Sequence, residues 1–100
     1  MKISLEQILT KHLCKALIIK LVSGAEFRGY IIGMRFPVRE LIMLYYVPLQ
    51  HVDKYIKHGN ARWVDVLPFE MIESIEFLAG NSIKETALKA RIQDKDSISE

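Results

Sequence analysis

The sequence has little cysteine, proline or glycine, and it has no long apolar segment. Cys14 is the only cysteine among 100 residues, so neither an intrachain disulfide nor a thiolate metal cluster can form. Such cysteine usage is typical of a reducing compartment, and we expect a cytoplasmic protein. The longest apolar run covers seven residues, 41–47, whereas a membrane span needs roughly 20. We therefore expect a soluble protein with no signal peptide, no membrane partner and no cofactor.

The chain also lacks a large excess of charge of either sign. The 14 lysines and arginines are nearly balanced by 12 acids, and the formal net charge is +2. This value does not by itself indicate a nucleic-acid-binding protein. The distribution is more informative, because residues 28–39 hold three arginines and no acid, and residues 50–62 hold three cations and two histidines against Asp53 alone. Both basic stretches fall at predicted loops or strand ends.

The N-terminal residues predict a helix of about ten residues. Ser4 and Gln7 have the spacing of a capping box, in which each side chain accepts a hydrogen bond from the other residue's backbone N–H. Apolar side chains and one histidine then follow at helical spacing: Leu5, Ile8, Leu9, His12 and Leu13. We interpret His12 as a packed or half-exposed residue of this stripe and not as a ligand, and Cys14 as a buried thiol at its end.

Five β-strands are predicted over residues 16–22, 26–33, 41–47, 61–67 and 71–78. The second strand carries Gly29 and Gly33 on one face, and glycine inside a strand marks sharp bending or a close backbone approach. The third strand is apolar at every position, which predicts that both of its faces are covered. Loops are expected over 35–39, where Pro37 cannot donate to a ladder, and over the polar residues 50–60.

The C-terminal residues predict one more helix, over residues 82–92, followed by a frayed charged tail. We therefore divide the chain into residues 1–80, which contain the N-terminal helix and all the strands, and residues 81–100, which contain the C-terminal helix and tail.

This order of elements resembles the Sm-like (LSm) family over roughly residues 4–78. The matching features are the turn at Ser23-Gly24, the segment Gly29-Tyr-Ile-Ile-Gly33 and the apolar residues 41–44. The resemblance implies a mainly β fold, in which an N-terminal α-helix precedes a strongly bent five-stranded antiparallel SH3-like barrel. The C-terminal helix is an addition to that fold.

The resemblance also implies a homo-oligomeric ring, in which the fourth strand of one subunit pairs with the fifth strand of the next. Such pairing removes exposed sheet edges. The apolar residues of these two strands are the expected subunit interface: Trp63, Val64, Val66, Ile75 and Phe77.

Single-stranded RNA is the expected ligand of the ring, at Arg35, Phe36 and Arg39. The aromatic ring would stack on a base while the guanidinium groups attract phosphate. The family's specifying residues are absent, because Arg35 replaces an Asp, and Arg39 or Glu40 replaces the base-reading Asn. In addition, Leu67-Pro68 replaces an Arg-Gly pair.

Two other functions remain open. The missing RNA-binding residues favour a protein-interaction or structural oligomer that has lost RNA binding. A monomeric SH3-like adaptor for proline-rich peptides would instead use exposed aromatic side chains, for which the candidates are Tyr45, Tyr46, Tyr55 and Trp63.

Catalytic motifs are not visible in the sequence. The three histidines do not have metal-ligand spacing, and there is no glycine-rich phosphate loop, nucleophile elbow or paired carboxylate motif. We expect that the protein is not an enzyme and holds no metal.

Overall fold

The structure is a computed structural model of the chain, and it describes residues 4–38, 41–78 and 82–98. It begins with α1 (Leu5–Gln7), which continues as a π-helical segment (Ile8–His12). The strands are β1 (Ala16–Leu21), β2 (Glu26–Val38), β3 (Leu41–Pro48), β4 (Asp65–Pro68) and β5 (Ile72–Phe77). Helix α2 (Val52–His58) lies between β3 and β4, and α3 (Ser82–Ile98) follows β5. Short 3-10 turns occur at Leu49–His51, Ala61–Trp63 and Phe69–Met71.

The five strands form one antiparallel sheet with the order β4-β3-β2-β1-β5, which confirms a mainly β fold. The sheet is open, because β4 and β5 are its two edges and no pairing among the described residues joins them. None of the described helices combines the length and hydropathy that a bilayer-spanning segment requires.

Strand β2 connects the two halves of the sheet. Its residues 26–30 pair with β1, and its residues from Gly29 onward pair with β3. The pairing with β3 shifts register between Ile31 and Gly33 and again between Arg35 and Val38. Such irregularities bend a strand and increase its twist.

The two glycines of β2 have different surroundings. A Cβ atom at Gly29 would overlap the carbonyl oxygen of Val47, so glycine is needed there for β2 and β3 to pair this closely. A Cβ atom at Gly33 would meet no described atom within 4 Å. Of the two predicted reasons for glycine, close backbone approach therefore holds at Gly29, whereas Gly33 lies at a register shift, which fits a bend in the strand.

Each face of the sheet buries its own hydrophobic core. The first core lies under the N-terminal helical segment and comprises Ile8, Leu17, Ile19, Leu21, Ile31, Leu44, Tyr46, Leu67 and Ile72. The second core lies under α2 and α3 and comprises Cys14, Ala16, Tyr30, Val47, Val52, Tyr55 and Leu88. Strand β3 contributes to both cores, but on the second-core face Val47 is buried and Tyr45 is only half-buried, so the predicted covering of both faces is confirmed in part.

The predicted polar connection over residues 50–60 is wrong, because these residues contain α2. Val52, Tyr55 and Ile56 have the spacing of one helix face, and all three pack in the second core. Gly59 ends the helix in the left-handed conformation, with φ of 66°. In the sequence, the polar residues between these core positions made the segment look like a polar loop, so the helical spacing was missed.

Two strand boundaries also differ from the prediction. The predicted loop over 35–39 is wrong for residues 35–38, which continue β2, whereas Arg39 lies outside the described residues. The predicted strand over 61–67 is wrong for Ala61–Trp63, which form a 3-10 turn. The Asn60 side chain accepts a hydrogen bond from the Arg62 backbone N–H at 2.9 Å. Such local bonding favours a turn over a strand.

The N-terminal predictions are largely confirmed. Both hydrogen bonds of the Ser4–Gln7 capping box form, at 3.1 and 3.2 Å. His12 is packed: its ring is buried and stacks on Phe77 with 4.8 Å between ring centroids. Cys14 is buried, as predicted. The side chain of Leu9 lies outside the described part of the structure.

Candidate functional site

An open groove of about 330 Å³ lies on the second-core face of the sheet. Tyr45 and Val66 are directly opposite each other in the β3–β4 ladder, so their side chains share this face. The groove is lined by Ile32, Arg35, Tyr45, Ala61, Val64 and Val66. Most of these side chains are apolar, and one is a cation.

Arg35 supplies the positive charge of the groove. Its guanidinium carbon lies 5.8 Å from the centroid of the Tyr45 ring, within cation–π range. Gly33 is the β2 residue opposite Tyr45 and has no side chain, which leaves room for Arg35, two residues further on, to lean over the ring. No carboxylate of the described residues pairs with Arg35. The groove therefore offers a guanidinium that no described carboxylate neutralises, and an aromatic ring.

Of the three predicted RNA-binding residues, the structure places only Arg35 in the groove. Phe36 lies in β2, but its side chain is outside the part of the chain that the structure describes. All of Arg39 is also outside it. Tyr45 was missed as the partner of Arg35, because an aromatic residue inside an apolar run predicts burial and gives no sign of its cross-strand neighbours.

A second basic and aromatic cluster surrounds Trp63, at the junction of α2 and the 3-10 turn Ala61–Trp63. The Lys54 ammonium nitrogen and the Arg62 guanidinium carbon each lie 4.9 Å from the Trp63 ring centroid. The His51 ring centroid lies 5.2 Å from the same ring. We call Lys54, Arg62 and Trp63 the Trp63 corner.

The predicted interface residues do not form one patch. Val66 on β4 is 50% exposed and Phe77 on β5 is 58% exposed, so each presents an apolar side chain at a free sheet edge. By contrast, Ile75 packs against the first core, and Trp63 and Val64 pack against the second core.

Val66 and Phe77 also lie on opposite faces of the sheet. Val66 is opposite Tyr45, on the groove face, whereas Phe77 is opposite Leu17, which belongs to the first core. A contact between the two edge strands would therefore bury these side chains on different faces of the seam.

Three titratable groups with shifted pKa values lie in the two cores, whereas a fourth, exposed Lys20, has its pKa raised by its hydrogen bond to Glu76. Burial raises the pKa of the Tyr30 and Tyr46 phenols, and the nearby charge of Asp65 adds to the rise at Tyr46. Burial also raises the pKa of the Cys14 thiol, which disfavours the nucleophilic thiolate. Within the described ranges, no three histidine, cysteine or acidic residues come together as a metal site.

Two of the aromatic side chains considered for peptide binding are inaccessible. Tyr46 is buried in the first core and Tyr55 in the second core. Tyr45 and Trp63 remain half-buried, and each is covered in part by a cation. An adaptor that recognises peptide through all four rings does not fit this arrangement.

Comparison with known proteins identified no matching family model, no matching curated protein and no matching solved structure. The resemblance to Sm-like proteins therefore depends on the residues of this chain alone.

Proposed function

We propose that this protein assembles into an Sm-like ring of identical subunits and that the ring binds single-stranded RNA. The observation that carries the proposal is the groove in which Arg35 lies over the ring of Tyr45 with no partner among the described carboxylates. This groove also reaches Val66 on β4, an edge strand of the sheet. A base can stack on an aromatic surface and its phosphate can bind arginine, which is how sequence-tolerant single-strand binding is achieved.

Within each subunit, we propose that the bent sheet corresponds to an SH3-like barrel. Support comes from β2, which pairs with β1 through its first residues and with β3 through its later ones. The close approach of Gly29 to Val47 and the two register shifts that follow are typical of a strand that turns a barrel corner.

Between subunits, we propose that β4 of one copy pairs with β5 of the next. Both strands are sheet edges, and unpaired edges with apolar side chains are templates for pairing. The seam can contain at most four residue pairs, because β4 spans only Asp65–Pro68. Since this contact joins two different surfaces, it gives a ring when the rotation closes.

Assembly can be tested by measuring the solution mass with light scattering. Val66→Asp and Phe77→Asp each place a charge at a proposed seam and should reduce the mass to that of one chain. Val22→Asp is the matched control, because Val22 is 60% exposed but lies in the turn after β1. If the wild-type protein has the solution mass of a single chain, the ring is excluded.

RNA binding can be tested by titrating labelled oligo-U and oligo-A across a salt series. Arg35→Ala should weaken binding and reduce the slope of log affinity against log salt by about 0.7 for each phosphate that Arg35 neutralises in the wild type. Arg28→Ala is the matched control on the same strand, since Arg28 pairs with Glu26 at 3.4 Å. A ring that binds neither oligonucleotide would instead support the structural oligomer without RNA binding.

A further inference from the structure

The Trp63 corner holds two cations that no acid of the described residues neutralises. Within the described residues, no carboxylate oxygen lies within 4 Å of Lys54 or Arg62. Asp53, the one acid in this basic stretch, has a carboxylate oxygen 3.2 Å from the Lys84 ammonium group. Both Lys54 and Arg62 are exposed, and both lie against the same aromatic ring.

Backbone contacts hold this corner in place. The Asn60 side chain accepts a hydrogen bond from the Arg62 N–H, which fixes the 3-10 turn that carries Trp63. Arg91 of α3 donates hydrogen bonds to the carbonyl oxygens of Ile56 and Lys57, which ties the end of α2 to α3. The backbone that carries these side chains is therefore held in place before a ligand binds, which lowers the entropic cost of binding. The exposed side chains of Lys54 and Arg62 lie over the Trp63 ring, so at least one of them must move aside for a base to stack there.

The corner also adjoins the groove. Ala61 and Val64, the residues on either side of Arg62 and Trp63, line the groove that contains Arg35 and Tyr45. A single extended ligand can therefore contact both places on one subunit.

We propose that the Trp63 corner is a second binding site for single-stranded RNA, in which a base stacks against Trp63 and Lys54 and Arg62 bind the flanking phosphates. The proposal rests on the proposed RNA-binding function and adds a contact that lies outside the groove. A ligand with regularly spaced negative charges and flat rings matches two exposed cations beside an indole, whereas an acidic peptide supplies only the charges.

Trp63 is the only tryptophan of the chain, so its fluorescence reports on this corner alone. Oligo-U should quench the emission of the full-length protein with the same midpoint as the anisotropy of labelled oligo-U. Bound RNA should also protect Trp63 from two added quenchers, iodide and acrylamide. The protection should be greater against iodide, because iodide is an anion that the two cations attract, whereas acrylamide is neutral.

The double variant Lys54→Ala/Arg62→Ala should weaken RNA binding about tenfold and remove most of the quenching. Trp63→Phe keeps an aromatic ring but removes the only tryptophan. We expect this variant to bind labelled RNA more weakly, as measured by anisotropy. Lys11→Ala, which removes an exposed lysine of the N-terminal helical segment, is the charge control and should change neither signal. Thermal melts confirm that each variant is folded.

The two proposals fail in different ways. If labelled RNA binds and Arg35→Ala weakens it while Trp63 emission does not change, the Trp63 corner is not a site and the groove proposal stands. Equal affinity of the double variant and the wild type would also overturn the second site. If no RNA binds to the assembled wild type, both proposals are wrong.

Discussion

Replacing Gly29 with alanine should destabilise the protein far more than replacing Gly33, although both glycines lie on β2. The added Cβ at Gly29 overlaps the carbonyl oxygen of Val47 and lies 3.1 Å from Cδ2 of Tyr46. A backbone oxygen cannot rotate away, so β3 must move relative to β2. The added Cβ at Gly33 meets no described atom within 4 Å.

The magnitude follows from this difference. Overpacking a closely fitted site costs about 1–3 kcal/mol, and we expect a cost near the upper value at Gly29 because the contact is with main chain. At Gly33, alanine restricts the unfolded chain and should be neutral or stabilise by about 0.4–1 kcal/mol. Since about 1 kcal/mol shifts Tm by about 4–8 °C in a domain of this size, Gly29→Ala should melt about 12–24 °C lower.

Urea unfolding of both variants, at one fixed protein concentration, measures the two free energies directly. The concentration is fixed because assembly stabilises the folded chain by mass action. Equal losses in the two variants, or a neutral Gly29→Ala, would refute the reasoning.

Three further predictions concern the cores. Burial raises the pKa of the Tyr46 phenol in the folded protein. As pH rises above about 10, the unfolded chain therefore releases the phenol proton at a lower pH than the folded chain does, and the free energy of unfolding falls. When the free energy of unfolding is measured with urea at several alkaline pH values, Tyr46→Phe should show a smaller fall than the wild type. An identical pH profile would contradict this prediction. Arg91→Met should cost about 2 kcal/mol and speed amide exchange in α2, because it removes hydrogen bonds to Ile56 and Lys57. The Cys14 thiol, buried and with a raised pKa, should react with a thiol reagent far more slowly when folded than in urea, whereas equal rates would contradict its burial.

Local patterns predicted the elements whose cause is local. The Ser4–Gln7 capping box depends on two side chains three residues apart, and it forms as expected. The unbroken apolar run of the third strand correctly predicted that both of its faces contribute to a core, because residues of a strand alternate between faces.

Predictions failed where a residue's environment depends on distant parts of the chain. The polar surface of α2 resembles a loop in the sequence, and its helical face is recognisable only once Tyr55 and Val52 have a core to pack against. The residues around Trp63 have a pattern typical of a strand, but the Asn60 side chain accepts a hydrogen bond from the Arg62 N–H and favours the 3-10 turn that contains Trp63.

The sequence by itself determined that the chain is mainly β, with an apolar stretch for each strand and a helix at either end, because hydrophobic period and backbone preference are local properties. Tertiary structure decided which of two similar glycines is essential, which tyrosine lies beneath Arg35 and which sheet edges stay unpaired. These depend on strand register and on the packing of α2 and α3, which bring together residues that are distant in sequence.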